Sequence, residues 1–161
     1  MNDGVTIRFD DHSAELLRQL GDKARVALEA VGVQAEANAK LNITDAARMG
    51  LDLTQYGEQN NSRVDTGRLR NSISHTYIDE PNNPVVYVGT NVEYAPYHEF
   101  GTGIYASRPG GRQSPWVYVD RKGVGHMTRG LYPTHFLRNA IESHMDEYRD
   151  VIAKVFRQLN G

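Results

Sequence analysis

Three short patterns in the chain carry residue types that do chemistry elsewhere, and each lacks the company that chemistry needs. Asp65-Thr66-Gly67 is the tripeptide with which retroviral-type aspartic proteases share one proton between two carboxylates. That use requires an apolar strand leading into a dry cleft. Here Asn60-Asn61-Ser62-Arg63-Val64 precedes it and Arg68 follows, so a solvated carboxylate capping a helical turn is expected, from Asp65 or Thr66. His98-Glu99 would begin a zinc-binding HExxH motif, but position 102 is Thr rather than His, and His75, His126 and His135 stand at no paired ligand spacing. Glycines 101, 103, 110 and 111 could suggest a phosphate cradle, yet no GxxxxGK[ST] pattern exists and the segment follows a helical rather than a strand pattern. Cysteine is absent, which removes disulfides, thiolate nucleophiles and Cys-ligated zinc. No catalytic group, metal set or cofactor site is read from these residues.

Charge separation is the stronger signal. Residues 102–131 hold Arg108, Arg112, Arg121, Lys122 and Arg129 against one acid, Asp120, while residues 78–101 hold Asp79, Glu80, Glu93 and Glu99 with no Lys or Arg. With Tyr105, Trp116 and Tyr118 interleaved, the basic stretch could track a nucleic-acid backbone and stack on bases. It could be a solvated loop. It could also seat on an acidic patch of a neighbouring copy, since a head-to-tail ring joins two different patches of one chain. Only the last reading uses both stretches.

The elements that must position these groups follow from periodicity. Val5, Ile7 and Phe9 alternate as a short edge strand. Ser13 or Asp11 then caps a helix over 13–40, with Glu15 in its first turn and an apolar stripe of Leu16, Leu20, Ala24, Ala27, Leu28, Val31 and Ala35. Such a helix spans or projects from a compact domain. Residues 44–63, with Gly50, Gly57 and a polar run, read as a mobile extension, or one ordered only against a partner. Residues 64–101 read as sheet and short helices: a hairpin of 73–78 and 85–89 turning at Pro81-Asn82-Asn83-Pro84, then a short helix to Phe100 stopped by Gly101. Tyr94, Tyr97 and Phe100 on that helix read as packing residues. Residues 102–131 are too long for a connection and should form an arm, a β-hairpin of 115–120 and 124–129 around Arg121-Lys122-Gly123. Thr134 should cap a last helix over 134–159, with a heptad-like seam of Leu137, Ile141, Met145, Tyr148, Ile152, Val155 and Leu159.

The whole chain, 161 residues at 39 % hydrophobic and 24 % charged, suits a single α+β domain, 1–161: a small antiparallel sheet packed by two long helices with a protruding hairpin arm. A net charge of −2 leaves no global pull toward nucleic acid or membrane. The first residues lack a secretory pattern, no apolar run reaches membrane-spanning length, and an aqueous, reducing compartment is expected.

Taken together, VDTGRLRNSI, VYVGTNVEYAPYHEFGTG and PTHFLRNAIE resemble the neck and tail-completion (head–tail joining) morphogenesis family of long-tailed bacteriophages. The likeness is loose over 13–40 and good over 64–159. It implies an α+β fold, no enzymatic activity, no cofactor, and a homo-oligomeric ring on the axis between portal and tail. Asp65, Thr66, Gly67 and Leu69 match the motif entering the sheet, and Tyr94, Pro96, Glu99, Gly101 and Thr102 the turn leaving it, all as scaffold. Partners would be other head–tail joining and tail proteins, with DNA passing the channel unbound and no membrane involved. The location would be the virion neck, after assembly in the host cytoplasm. A tail-terminator ring, and a free DNA- or RNA-binding module using the arm, are the alternatives. Residues 44–63 depart from the family pattern, which passes almost directly from helix to VDTG. Arg108, Arg112, Trp116, Arg121, Lys122 and Arg129 are the expected contact residues of the arm. Asp79, Glu80, Glu93 and Glu99 are the expected counter-patch.

Overall fold

The computed structural model describes residues 13–58, 60–80 and 83–158, and the side chains of 18 onward within these ranges. The strand expected at Val5–Phe9, the Ser13/Asp11 cap, the Pro81-Asn82 half of the hairpin corner and Leu159 lie outside them.

Helix α1 runs Ser13–Thr44, 32 residues or about 48 Å. Its core face is a row of small and branched residues four apart, Ala27, Val31, Ala35, Ala39 and Ile43, all buried. Alanines on that row bring neighbours close to the backbone, and Gly32 carries this furthest. A Cβ there would lie 2.6 Å from His75 Cδ2 and 2.7 Å from a Val86 methyl, so the helix rests directly on the hairpin. Toward the N-terminus the stripe runs out, with Leu20 and Val26 exposed, and this end of α1 projects from the core.

Strands β1 (Ser74–Ile78) and β2 (Val85–Gly89) pair antiparallel, Ser74 opposite Gly89 and Ile78 opposite Val85. Val86 and Val88 pack under Val31 and Ala35 together with Tyr148, Val151 and Ile152. A second cluster, Ala39, Ile43, Leu69, Ile73, Val92, Ala95, Phe136 and Ala140, joins α1 to α2 (Arg68–Ser72), α3 (Ala95–Phe100) and α4 (Phe136–Glu142). The architecture is α+β, with two small antiparallel sheets and long helical segments at both ends.

The last helix departs from expectation in being two. Helix α4 ends at Glu142, and α5 runs Met145–Gln158. The break lets Tyr148 turn inward, where its hydroxyl donates to the Ala140 carbonyl and accepts from Asn38 Nδ2 at 3.0 Å. Tyr148 and Ile152 of the expected seam pack inside the chain, whereas Ile141 and Met145, flanking the break, face solvent.

The described part of 44–63, residues 44–58 and 60–63, also differs from expectation, because it is built into the core. Asp45 caps one 3-10 turn by accepting from Ala47 N at 3.0 Å, and Asp52 caps another by accepting from Thr54 N at 3.0 Å. Gly50 and Gly57 end these turns at φ 71° and 85°, left-handed values that suit glycine. Ala46 and Leu53 are fully buried. Asn61 fastens the segment, its carbonyl accepting from Ala46 N at 2.8 Å and its side chain from Leu53 N at 2.7 Å.

Beyond α3 comes the arm. Strands β3 (Trp116–Val119) and β4 (Gly125–Thr128) form a separate two-stranded sheet, Val117 opposite Met127. Its root is a backbone crossing: Thr102 N donates to Leu131 O at 2.8 Å and Ile104 N to Arg129 O at 3.0 Å. A Cβ at Gly103 would collide with the Arg129 carbonyl, and one at Gly130 with that of Thr102, so two glycines set how closely the strands cross.

Candidate subunit interface

Helix α3 positions the groups nearest the arm. Its entry is set by Tyr94, half-buried against the core, and by Pro96 in the first turn. Its exit is Gly101 at φ 71°, where a Cβ would sit 2.8 Å from Leu131 O, Pro133 Cδ and Tyr105 O. Thr102 then accepts from Leu131 N at 2.8 Å through its hydroxyl and so anchors the arm.

Glu99 corrects an expectation. It is 6 % exposed, and its carboxylate accepts from the Leu137 and Arg138 backbone N–H groups at 2.9 and 3.1 Å. It caps α4 from 38 residues away. Thr134, expected in that role, instead donates its hydroxyl to His98 O at 2.9 Å. Glu99 is therefore a structural strut and leaves the acidic surface to Asp79, Glu80 and Glu93, all exposed.

Beside it, His98 lies within electrostatic reach of Arg63. Burial first, and then the Arg63 guanidinium, push the imidazole down to about 4, so it is neutral at physiological pH. Arg63 has a side chain only 4 % exposed, pairs with Glu58 at 2.5 Å and donates to Tyr132 O at 3.2 Å. Its Nε and His98 Nδ1 find no partner among the described residues.

The VDTG turn lies in front of them. Gly67 takes φ 77° at the head of α2, and Leu69 is buried in the core. Neither side chain of the expected pair makes a firm cap: Thr66 Oγ1 accepts from Arg68 N at a long 3.4 Å, and Asp65 turns outward to Arg121 Nη2 at 3.3 Å. An exposed Asp65 facing an arginine is the reverse of a dry, proton-sharing aspartate.

That ion pair closes one side of a cleft of about 800 Å³ between the turn and the arm. Arg63, Arg68, Arg70 and Arg121 line it against Glu58 and Asp65, with Tyr118 and Val119 forming the arm wall. The basic residues expected to act together are distributed differently. Arg108 lies over the Phe100 ring at 3.3 Å, and Arg112 over Trp116 at 5.5 Å. Arg68 grips Glu93 with two hydrogen bonds, 3.1 and 3.3 Å, and stacks over Tyr94. Lys122 and Arg129 are exposed. The arm's corner is held by Asp120, which accepts from Lys122 N, Val124 N and the His126 ring, and the His126 and Val124 bonds hold its carboxyl below the usual range.

One face of the arm is apolar: Val117, Val119 and Met127 share it and are 60, 67 and 78 % exposed, and Val119 also reaches the rim of the cleft. Of the three aromatics read as packing residues on α3, Tyr94 packs, Phe100 carries Arg108, and Tyr97 is exposed. Sequence reasoning missed Arg63, and it missed the Tyr56–Tyr132 stack at 3.7 Å with Tyr105 against both, which ties residues 44–63 to the arm's root.

Fold and surface together describe a small α+β domain with a buried polar seam, an arginine-lined cleft and an arm whose apolar face lies open. Among the described residues no group of His, Cys, Asp and Glu is placed to hold a metal ion, and no helix is long and apolar enough to cross a membrane. Residues 8–101 match the HK97-gp10-like family, described as "Bacteriophage HK97-gp10, putative tail-component". The chain belongs to that family of phage tail components, which gives it a structural place in the virion. No curated protein and no solved structure matches it. The arm and the two C-terminal helices lie beyond the matched residues.

Proposed function

We propose that this chain is a structural virion protein that forms a ring in the phage neck, joining the DNA-filled head on its portal side to the tail and leaving a channel for DNA. The observation that carries this reading is the arm. A two-stranded hairpin is marginal alone in water, yet this one presents Val117, Val119 and Met127 to solvent, 60 to 78 % exposed, with none of the described residues covering them. A neighbouring copy covering that face stabilises the hairpin and closes the ring. The role is non-catalytic and needs no cofactor, metal or membrane. The ring contacts other head–tail joining and tail proteins, and the chain is made in the host cytoplasm before incorporation.

The channel lining should bind DNA weakly, since many phosphate contacts would hold the genome back. Placing Arg108, Arg112, Arg121, Lys122 and Arg129 at subunit contacts meets that need, and the seating of Arg108 and Arg112 on aromatic rings supports it. A free DNA- or RNA-binding module using the arm would instead give submicromolar binding with a steep salt dependence in gel shifts; little binding at any salt is expected.

The family's description as a tail component favours one second reading, a ring that terminates the tail. Imaging particles made without this protein separates the two. Tailless, DNA-filled heads beside loose tails of normal length support the neck ring, tails of irregular length support the terminator, and intact particles overturn both.

A further inference from the structure

We infer that the arginine cleft between the arm and the VDTG turn receives the acidic hairpin corner, Asp79 and Glu80, of an adjacent copy of this chain. The inference rests on the ring reading and adds the residues that make the joint.

The cleft is built for carboxylates. Arg63, Arg68 and Arg121 in its lining are each paired with one acid, Glu58, Glu93 and Asp65, which leaves Arg70 as its one cation without an ion pair among the described residues, and His98 behind it stays neutral, so its net charge does not depend on imidazole protonation near neutral pH. Arg63 at its back is almost fully buried with Nε unpartnered, while among the described residues Arg70 has no carboxylate and is held only by Asn71 Oδ1 at 3.3 Å. Arg121 at the mouth is paired with Asp65, but both side chains are largely exposed, 67 and 79 %. Pairs of that kind stabilise little in water and exchange readily for an incoming carboxylate.

The occupant is argued from charge. Residues 78–101 contain no Lys or Arg, and Glu99 is buried as a cap and Glu93 is held by Arg68. That leaves Asp79 and Glu80 as the exposed acids of the stretch without an ion pair among the described residues, just beyond the end of β1. Among the described residues, Asp79 accepts a single hydrogen bond, from Tyr77 at 3.2 Å. A phosphodiester strand suits the cleft less well, because Glu58 and Asp65 on its walls repel a continuous line of negative charge. Donor corner and acceptor cleft are different patches of one chain, the arrangement a head-to-tail ring requires.

The chain has no cysteine, which makes disulfide trapping clean. Chains carrying Ile78→Cys and Val119→Cys singly, each at an exposed position, are to be co-produced with the other phage proteins, and the particles oxidised. Heterodimers of one chain of each kind are expected. Their yield should drop about tenfold or more when Asp79→Lys and Glu80→Lys are added to the first chain, and recover when Arg70→Asp and Arg121→Asp are added to the second. Absence of the link in particles that contain the protein and join normally would overturn this joint and leave the ring reading standing. Absence of the protein from particles would overturn both, and tight DNA binding lost on Arg121→Asp alone would assign the cleft to phosphate.

Discussion

At the scale of single residues, two buried polar groups do work that no motif announces. Glu99 satisfies two N–H groups at the head of α4, one with each carboxylate oxygen, and bonds of that kind contribute about 1–2 kcal/mol each. Glu99→Ala should lower stability in urea by about 2–4 kcal/mol, and Glu99→Gln by less, since the amide oxygen still accepts. Equal, negligible effects of both would refute the capping role. His98 sets the response to acid. Folded, it remains neutral down to about pH 4, whereas in the unfolded chain it takes up a proton near 6.5. Between those values the unfolded state binds more protons, so stability is complete above about pH 6.5 and falls as pH falls through the window. The loss attributable to this residue is of order 3 kcal/mol, and His98→Gln should flatten the pH dependence of the urea midpoint between pH 7 and 4.5. An unchanged slope in that variant would place the sensitivity elsewhere. The role of Glu99 was not legible in the chain, because its partners Leu137 and Arg138 are brought to it only by tertiary packing.

Elements were readable wherever local signals agreed. The alternation at 74–78 and 85–89, the Gly101 stop and the Arg-Lys-Gly corner of the arm are local facts, and all appear in the structure near their expected places. Residues 44–63 were misread because their two anchors, Ala46 and Leu53, are isolated apolar residues without a period. The signal that could have found them is a repeated Asp-x4-Gly unit, Asp45 to Gly50 and Asp52 to Gly57, which gives a capping acid and a left-handed stop to each turn. Leu53→Ala should therefore cost about 2–5 kcal/mol, as in any core, where a mobile extension would feel nothing; equilibrium unfolding decides between them. The break between α4 and α5 was hidden for a different reason. A seam of apolar residues at four and three continues across it, and only the inward turn of Tyr148 shows that the helix has stopped. At the arm's root, Gly130→Ala should separate the crossing strands, since the added methyl meets the Thr102 carbonyl. Loss of amide protection at Thr102 and Ile104 in hydrogen exchange is the expected sign, and unchanged protection would contradict the crossing's dependence on glycine.

On the scale of the molecule, the core is finished and the arm is not. Phe136, Ile43, Leu53 and Ile73 are fully buried, while Val117, Val119 and Met127 lie open on a hairpin joined to the body by its root and the Asp65–Arg121 pair. The separation of charge along the chain pointed to the arm, but not to its apolar face or to the cleft beside it, since both depend on how the hairpin lies over the VDTG turn. If a neighbour completes the arm, the face must become inaccessible on assembly. Methionine oxidation by dilute peroxide, read residue by residue by mass spectrometry, tests this directly, because Met127 is 78 % exposed in the free chain. Met127 should oxidise at least about tenfold more slowly in intact particles than in the isolated protein. Equal rates in the two states would mean that nothing covers the arm, and would contradict the ring.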